Sequence, residues 1–536
     1  MQVRPRSVST QMSTTPEKSP VRLAEIVAAL SLGIDLGFGQ PMEHVLRQCL
    51  IALRIAERVG LDDQERAAVY YTALLVNVGC HSDAHEQAKW FGDDIALKAT
   101  KFEYEPGSAR EALGMLRMLG AGNPPLHRLR TGVSFAISGR RQVDDMLAQH
   151  ARLAQHLAVA LELPDLVSGA LASSYEQWDG KGWPGEVAGD AVPIVARIVQ
   201  VAEYVEVAHR NGGEDAGREL AERRAGVQFD PAVVAVVRSH AREVFDGLNE
   251  VGSWQAVIAS EPALTVLLTG DAIDDALQAI AQFVDLKSPY MLGHSVAVAD
   301  LAAAAGRELS LVASEAHTLR RAGLVHGYGR LGVSNAVWDK PGPLGVGEWE
   351  RVRLHPYYAE RMLRQSDSLA PLARIVVQQR ERLDGSGYPR GLPGSAIAPM
   401  ARILSAADAY QAMREERPHR AALPADTAAL ELRASVRAGH LDGDAVEAVL
   451  AAAGHRTARR REGPAGLTAR EVDVLKLLAL GLSNKDIASR LVIAPKTAGN
   501  HIEHIYNKIG TSSRAAAALF AMQHGLIPEE GFPSGS

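Results

Sequence analysis

Apolar residues recur at i, i+3, i+4 and i+7 through much of the chain, as in VLRQCLIALRIAERVGL (45–61) and SVAVADLAAAAGRELSL (295–311). That spacing gathers Ala, Leu, Ile and Val on one face of a helix. Period-two alternation is scarce and aromatic residues total only 5%, so the pattern does not predict strands. The expected fold is all-α, with two helical domains over roughly 20–250 and 275–453. FDGLNEVGSWQAVIASEPALTVLLTG (245–270) joins them. A third periodic block, LTAREVDVLKLLALGLSNKDIASRLVIAPKTAGNHIEHIYNKIG (467–510), has sharper punctuation. Thr468 with Glu471 opens its first helix as a capping box, and Gly481 closes it. Ser483 caps the second helix, and Pro495 suits the first position of the third. Ala498, Ile502, Ile505 and Ile509 form the inward stripe of that third helix. A further helix over Ser512–His524 completes a four-helix unit.

Length and composition narrow the reading. A chain of 536 residues exceeds a single core, and 47% hydrophobic with 22% charged residues is ordinary for a globular protein. The two cysteines, Cys49 and Cys80, exclude a disulfide framework and suit a reducing cytoplasm. No apolar run approaches the roughly 20 residues that span a bilayer, so no membrane partner is expected. The first twenty residues lack an apolar h-region and read as a disordered tail. Charge is unevenly placed: between His455 and Ile527 eleven Lys/Arg face five Asp/Glu, net +6. With −6 for the whole chain, the remainder carries −12. A basic segment on an acidic body suits a polyanionic partner for that segment alone.

The two helical domains repeat one another. WDGKGWPGEV (178–187) returns as LDGSGYPRGL (383–392), with Asp179 and Asp384 separated by 205 positions. The same offset pairs Glu203 with Asp408 and His150 with His355. Upstream the offset is 250: His44 pairs with His294, and LLVNVG (74–79) with LVHGYG (324–329). The difference is 45 extra residues in the first copy between Cys80 and His150. The resulting division is a tail 1–20, a first domain 21–250 with an insertion over 81–145, and a connector 251–274. A second domain 275–454, a basic linker 455–465, a DNA-binding unit 466–527 and a tail 528–536 follow.

The 467–527 segment resembles the LuxR-type helix-turn-helix. The resemblance implies duplex DNA as partner, with the third helix entering the major groove. On its outer face, beside Lys496, the family positions imply that Thr497, His501 and Lys508 contact phosphates while Gly499, Asn500 and Glu503 face base edges. Ala498 stands where the family usually has Val.

In the second copy GHSVAVADLA, AGLVHGYGRLGV, WDKPGPL, VRLHP and ERLDGSGYPRGL follow the order and spacing of HD-GYP phosphohydrolases, over about Pro289 to Arg420. That family uses paired metals to activate water against cyclic dinucleotides. The resemblance implies a first metal on His294, His326 and Asp408, but the bridging Asp is here Gly327. It implies a second metal on His355 and a His-His pair, which is here Gln379-Arg380. The first copy has lost more: Val76-Asn77 and Ser174-Tyr175 replace its two pairs, leaving His44, His150 and Glu203. Its insertion carries His81 and His85, spaced i, i+4, as surface polar residues or as replacement ligands. The Gly-rich loops serve either a turn the fold requires or the wall of a ligand pocket. Lys340, Arg380, Asp384, Gly387, Tyr388 and Arg390 would form that pocket around an anionic small molecule.

These features imply a cytoplasmic, homodimeric DNA-binding transcriptional regulator whose degenerate HD-GYP domains sense a ligand, dimerise or both. No cofactor is required by this reading, and Lys340 is at most a catalytic remnant. The rival is a phosphohydrolase with one divalent metal (iron, manganese or zinc) on His294, His326 and Asp408, with His355 nearby. A third reading makes the body a scaffold with empty pockets.

Overall fold

The computed structural model describes residues 20–103, 109–121, 124–135, 140–248, 252–262, 265–455 and 464–527. The expected tails and most of the basic linker lie outside the described residues. Helices make up nearly all regular structure, and the all-α expectation holds. The exception is a two-residue antiparallel pairing of Val21–Arg22 with Leu267–Leu268. Among the described residues no helix is long and apolar enough to cross a membrane.

One compact unit comprises the described residues up to Lys287 together with Met362–Ala370. Its helices Leu23–Gly37, His44–Val59, Asp63–Leu75 and Ile194–Arg224 surround a core that includes Ile26, Leu46, Ile51, Ile55, Leu75 and Ile198. The last of these helices breaks its helical dihedrals at Gly213. The inserted segment is itself helical, with Ala84–Phe91, Asp94–Ala99, Ala109–Met118 and Pro125–Ser134 ahead of the long Arg140–Ala160 helix. The connector also folds with this unit: Asp271–Asp285 is a helix, and Lys287 places its ammonium 3.3 Å from Asp94. The boundary therefore falls at Lys287 rather than near 275.

The second unit repeats the helical order. His294–Glu308 packs against Ala313–Val325, Pro399–Arg414 and Gly443–Ala452. The Gly-rich loops have the same construction in both copies. Gly182 and Gly387 press so closely on the preceding turn that a Cβ would lie 2.3 Å from the backbone nitrogen of Gln177 or Arg382. Each loop is then tied to a buried glutamate. Glu176 accepts from the N–H groups of Gly185 and Glu186, and Glu381 from those of Arg390 and Leu392. Of the two readings of the loop, the structural turn is the one these contacts support.

The residues from Leu467 onward form a core of their own, with Val474, Leu475, Ile487, Ala498, Ile502, Ile505 and Ala517 buried. The expected caps are present. Thr468 and Glu471 bond reciprocally, as do Ser483 and Asp486, and Pro495 begins the Pro495–Ile509 helix. Ala498, Ile502 and Ile505 are buried, and Ile509 packs partly buried beside them. Lys508 is exposed, and its Nζ lies 2.7 Å from Oε2 of the buried Glu471 and 3.3 Å from the Gly466 carbonyl.

Two stability outcomes follow. Gly387→Ala should lower unfolding stability by about 2 kcal/mol or more through overpacking, whereas Gly342→Ala, with open space around it, should stay within about 0.5 kcal/mol. Urea midpoints of the full chain compare them. Lys508→Ala should cost up to about 1 kcal/mol in the melting of the C-terminal helices, because it removes a partly exposed ion pair while Glu471 keeps its bond from the Thr468 N–H. An unchanged transition would show that the pair contributes nothing.

Candidate functional site

The second unit brings His294, His326 and Asp408 together, all buried, with one potential ligand atom from each lying within 4.8 Å of the others. His294 opens its helix after the left-handed Gly293, His326 ends the helix before it, and Asp408 sits mid-helix in Pro399–Arg414. His294 Nε2 is 3.2 Å from Oδ1 of Asp408, and His326 Nε2 is 4.0 Å from the same oxygen. The far nitrogens are pinned. Nδ1 of His294 faces Oε2 of Glu415 at 2.7 Å, and Nδ1 of His326 faces the Gly323 carbonyl at 2.6 Å. His355 follows the same rule, with Nδ1 2.7 Å from the Val352 carbonyl. An Nδ1–H held by an acceptor leaves Nε2 with its lone pair, the tautomer that ligates metals. Nε2 of His326 and of His355 is buried without a hydrogen-bond partner.

Two cations oppose that ligand set. Nη2 of Arg380 stands 2.7 Å from Oδ2 of Asp408. Nη2 of Arg330 stands 3.9 Å from Oδ1 and 3.4 Å from His294 Nε2. Burial works against charge on Asp408, yet Arg380 and the two histidines hold its carboxyl well below the usual range. Burial likewise drives His326 down to about 3 and His355 well below its ordinary value, the latter with help from Arg380 and Arg330. His326 and His355 are therefore neutral at physiological pH. Gly327 supplies no carboxylate, and a Cβ there would lie 3.2 Å from Ser295 Oγ. At the second position Gln379 donates to the His326 carbonyl at 3.0 Å. The donors fit a single divalent ion, in competition with Arg380, and do not fit two.

The other residues expected around a ligand are engaged elsewhere. Lys340 is paired with Glu348 at 2.7 Å, and Arg390 with Glu360 at 2.6 Å. Asp384 accepts from the N–H and hydroxyl of Ser386. Gly387 is packed on the turn before it, and Tyr388 has its ring 6.1 Å from that of His355. Only Arg380 and Tyr388 adjoin the histidine cluster.

In the first unit a side-chain cation again meets the equivalent carboxylate. Lys101 Nζ lies 2.6 Å from Oε1 of Glu203, which also accepts from Asn77 at 2.6 Å. His44 is paired through Nδ1 with Glu206, and His150 Nε2 lies 2.9 Å from Asp83. Tyr175 places its hydroxyl 2.8 Å from Cys80 Sγ and 3.3 Å from the Val76 carbonyl. The inserted histidines do not share a helix. His81 ends the Val78–His81 turn, is buried against the Phe283 carbonyl and is driven by burial down to about 3. His85 belongs to Ala84–Phe91. A surface pair was expected for both, and His81 overturns it because the turn points its ring into the core.

On the Pro495–Ile509 helix Lys496, Thr497, Asn500, Glu503 and Lys508 are exposed, the last also paired with Glu471, and Gly499 and His501 are half-buried. Lys101, Arg330 and Glu415 were not anticipated. Arg330 and Glu415 flank the ligand motifs, but Lys101 lies in the insertion, where the repeat offers no counterpart.

Residues 141–233 and 278–445 match the family described as HD domain, and 465–521 the family described as bacterial regulatory proteins, luxR family. The chain is 32% identical over 410 residues to 3'3'-cGAMP-specific phosphodiesterase 3 of Vibrio cholerae, covering 76% of this chain and 89% of the relative. It is 35% identical over 145 residues to a cyclic di-GMP phosphodiesterase of Pseudomonas aeruginosa, 26% of this chain and 35% of that one. The crystal structure of a Vibrio cholerae cyclic GMP-AMP specific phosphodiesterase matches with a TM-score of 0.57 and 27% identity, over 81% of this chain and 98% of that one. The chain thus belongs to the HD-domain family of these phosphodiesterase relatives and joins to that duplicated body a LuxR-type regulatory domain.

Proposed function

We propose that the protein is a DNA-binding transcriptional regulator of the cytoplasm whose HD body senses a small molecule and does not hydrolyse cyclic dinucleotides. The observation that carries this reading is the Arg380–Asp408 ion pair at 2.7 Å. A guanidinium has five donors, no acceptor and no exchangeable water, so it fills the place of a dication without supplying its chemistry. Binding of DNA is assigned to 466–527, where exposed Asn500 and Glu503 share a face with Lys496 and Thr497. Exposed Leu519 and Met522 on the Arg514–Gln523 helix support pairing of two copies on a two-fold site.

A second reading has one specific observation in its favour. The unpartnered Nε2 of His326, within the His294–His326–Asp408 cluster, is what one metal site would use, so a single-metal phosphohydrolase is the alternative. A bound metal would polarise a phosphoryl oxygen; here His294, His326 and Asp408 would hold it.

Duplex binding should reside in 466–527. Asn500→Ala should change the preferred sequence by about 1–3 kcal/mol at one base position without altering the melting temperature. Binding by a fragment ending at Gly454, measured by fluorescence anisotropy, would refute the assignment. Mn²⁺ or Fe²⁺ in excess should leave the melting temperature of the wild type unchanged and yield no linear product from 3'3'-cGAMP or cyclic di-GMP. Arg380→Ala should create a metal-dependent rise in melting temperature by freeing Asp408. Metal-dependent product from the wild type, lost in His326→Ala, would establish the hydrolase instead.

A further inference from the structure

The first unit contains a cavity of about 270 Å³ with five aromatic residues in its walls, in a chain whose aromatics total only 5%. They are Phe38, Phe91, Tyr175, Trp183 and Tyr204. Such walls suit a planar ring, because stacked and edge-on ring contacts add to the burial of apolar area. The space lies just below the roughly 300 Å³ at which pockets for drug-sized ligands begin. It suits a molecule of one or two rings.

The polar groups on those walls are unequally used. The donors are largely engaged inside the protein. Lys101 Nζ lies 2.6 Å from Glu203 Oε1, and Lys98 Nζ lies 3.1 Å from Asp94 Oδ2. The hydroxyls of Thr100 and Ser174 donate to the carbonyls of Leu97 and Leu171 at 2.7 and 2.9 Å. Gln200 Nε2 donates to the Glu176 carbonyl at 2.7 Å. With both lysines paired to carboxylates, the cavity is poorly equipped for an anion.

Two acceptors are left over. Asp83 and Gln87 both line the cavity and are 6% and 7% exposed. They stand one helical turn apart, with the Gln87 N–H on the Asp83 carbonyl at 2.9 Å. The Asp83 carboxylate uses Oδ2: Gln87 Nε2 donates to it at 3.1 Å, and His150 Nε2 lies 2.9 Å from it. The first of these contacts fixes the Gln87 amide, since the flipped orientation would set its oxygen against a carboxylate. Oδ1 of Asp83 and Oε1 of Gln87 are buried with no hydrogen-bond partner among the described residues. Unpaired buried acceptors are costly. A ligand carrying two donors on one edge would pair both.

We propose that this cavity binds a planar, amino-substituted N-heteroaromatic base of one or two fused rings. A ring N–H and the adjacent amino group donate to Asp83 Oδ1 and Gln87 Oε1, and the aromatic side chains pack against the ring. Binding is non-covalent and selects by donors. A ring without the amino group, or with a carboxylate in its place, leaves a buried acceptor unpaired and is rejected. A whole cyclic dinucleotide, with two bases, two sugars and two phosphates, exceeds the space. The cavity supplies the ligand site that the sensing function proposed above requires, and only its consequence for DNA rests on that reading.

Calorimetric titration of the full chain with 2-aminobenzimidazole, which carries that donor pair on two fused rings, is the test. The probe should bind once per chain, and benzimidazole or 2-naphthoate should bind about tenfold or more weakly. Gln87→Met, which keeps the side-chain length and removes the acceptor, should weaken the aminated probe about tenfold. Asp83→Asn, which loses the charge, should weaken it at least as much. Should neither variant fold, the ranking of the three probes on the wild type decides. Absence of binding at millimolar probe, equal binding of the aminated and unaminated rings, or full affinity in a folded Gln87→Met overturns the site. Duplex affinity is measured with and without the probe. Binding that leaves it unchanged upholds the site and refutes only the sensing role, whereas absence of binding refutes the site and leaves the DNA assignment standing.

Discussion

A buried carboxylate on the helix that follows the Gly-rich loop must be neutralised, and the rest of each copy is arranged around how that is done. Asp408 and Glu203 occupy equivalent places in the repeat and are both nearly inaccessible. An isolated carboxylate removed from water is costly, so each needs a positive partner at short range. The pattern that the second copy resembles would use metal ions. Here Arg380 meets Asp408 at 2.7 Å and Lys101 meets Glu203 at 2.6 Å. The two cations come from different parts of the sequence, one from the lost histidine pair and one from an insertion. The same electrostatic requirement is thus met in the two copies by cations from unrelated positions.

The Gly-rich loop follows a different constraint. Its second glycine is pressed onto the preceding turn, and its backbone N–H groups are gathered by one buried glutamate, Glu176 or Glu381. A Cβ at 2.3 Å from a backbone nitrogen has nowhere to go, so glycine persists on steric grounds in both copies. Those grounds are independent of a ligand. The cations that would have served an anionic ligand in the second copy, Lys340 and Arg390, are bound to Glu348 and Glu360.

Much of this was readable from residue order. Helical periodicity gave the all-α class, the offsets of 205 and 250 gave the repeat, and Thr468, Ser483 and Pro495 marked the helix starts of the DNA-binding unit. The cluster of His294, His326 and Asp408 followed from motif spacing, because its elements recur in a fixed order. What escaped was set by contacts between distant residues. Nothing near Lys508 announces that this exposed residue also pairs with Glu471, 37 positions back. Lys101 could not be aligned because the second copy has no insertion. His81 looked polar and exposed, but a 3₁₀ turn carries it into the core.

Replacing a dication by a tethered side chain also changes what the site can become. A metal exchanges ligands and binds water, so a site built on it can activate a nucleophile. Arg380 brings N–H donors to Asp408 and nothing that can be deprotonated near neutrality. With Gly327 in the bridging place, recovery of a paired-metal centre needs both a carboxylate and the removal of a charge. In the first copy the substitution leaves an aromatic-walled space beside Cys80 rather than a metal chamber. There the Lys101–Glu203 pair keeps the buried charge satisfied. The two copies thus share the same loop construction and the same neutralised carboxylate, while the residues around that carboxylate differ.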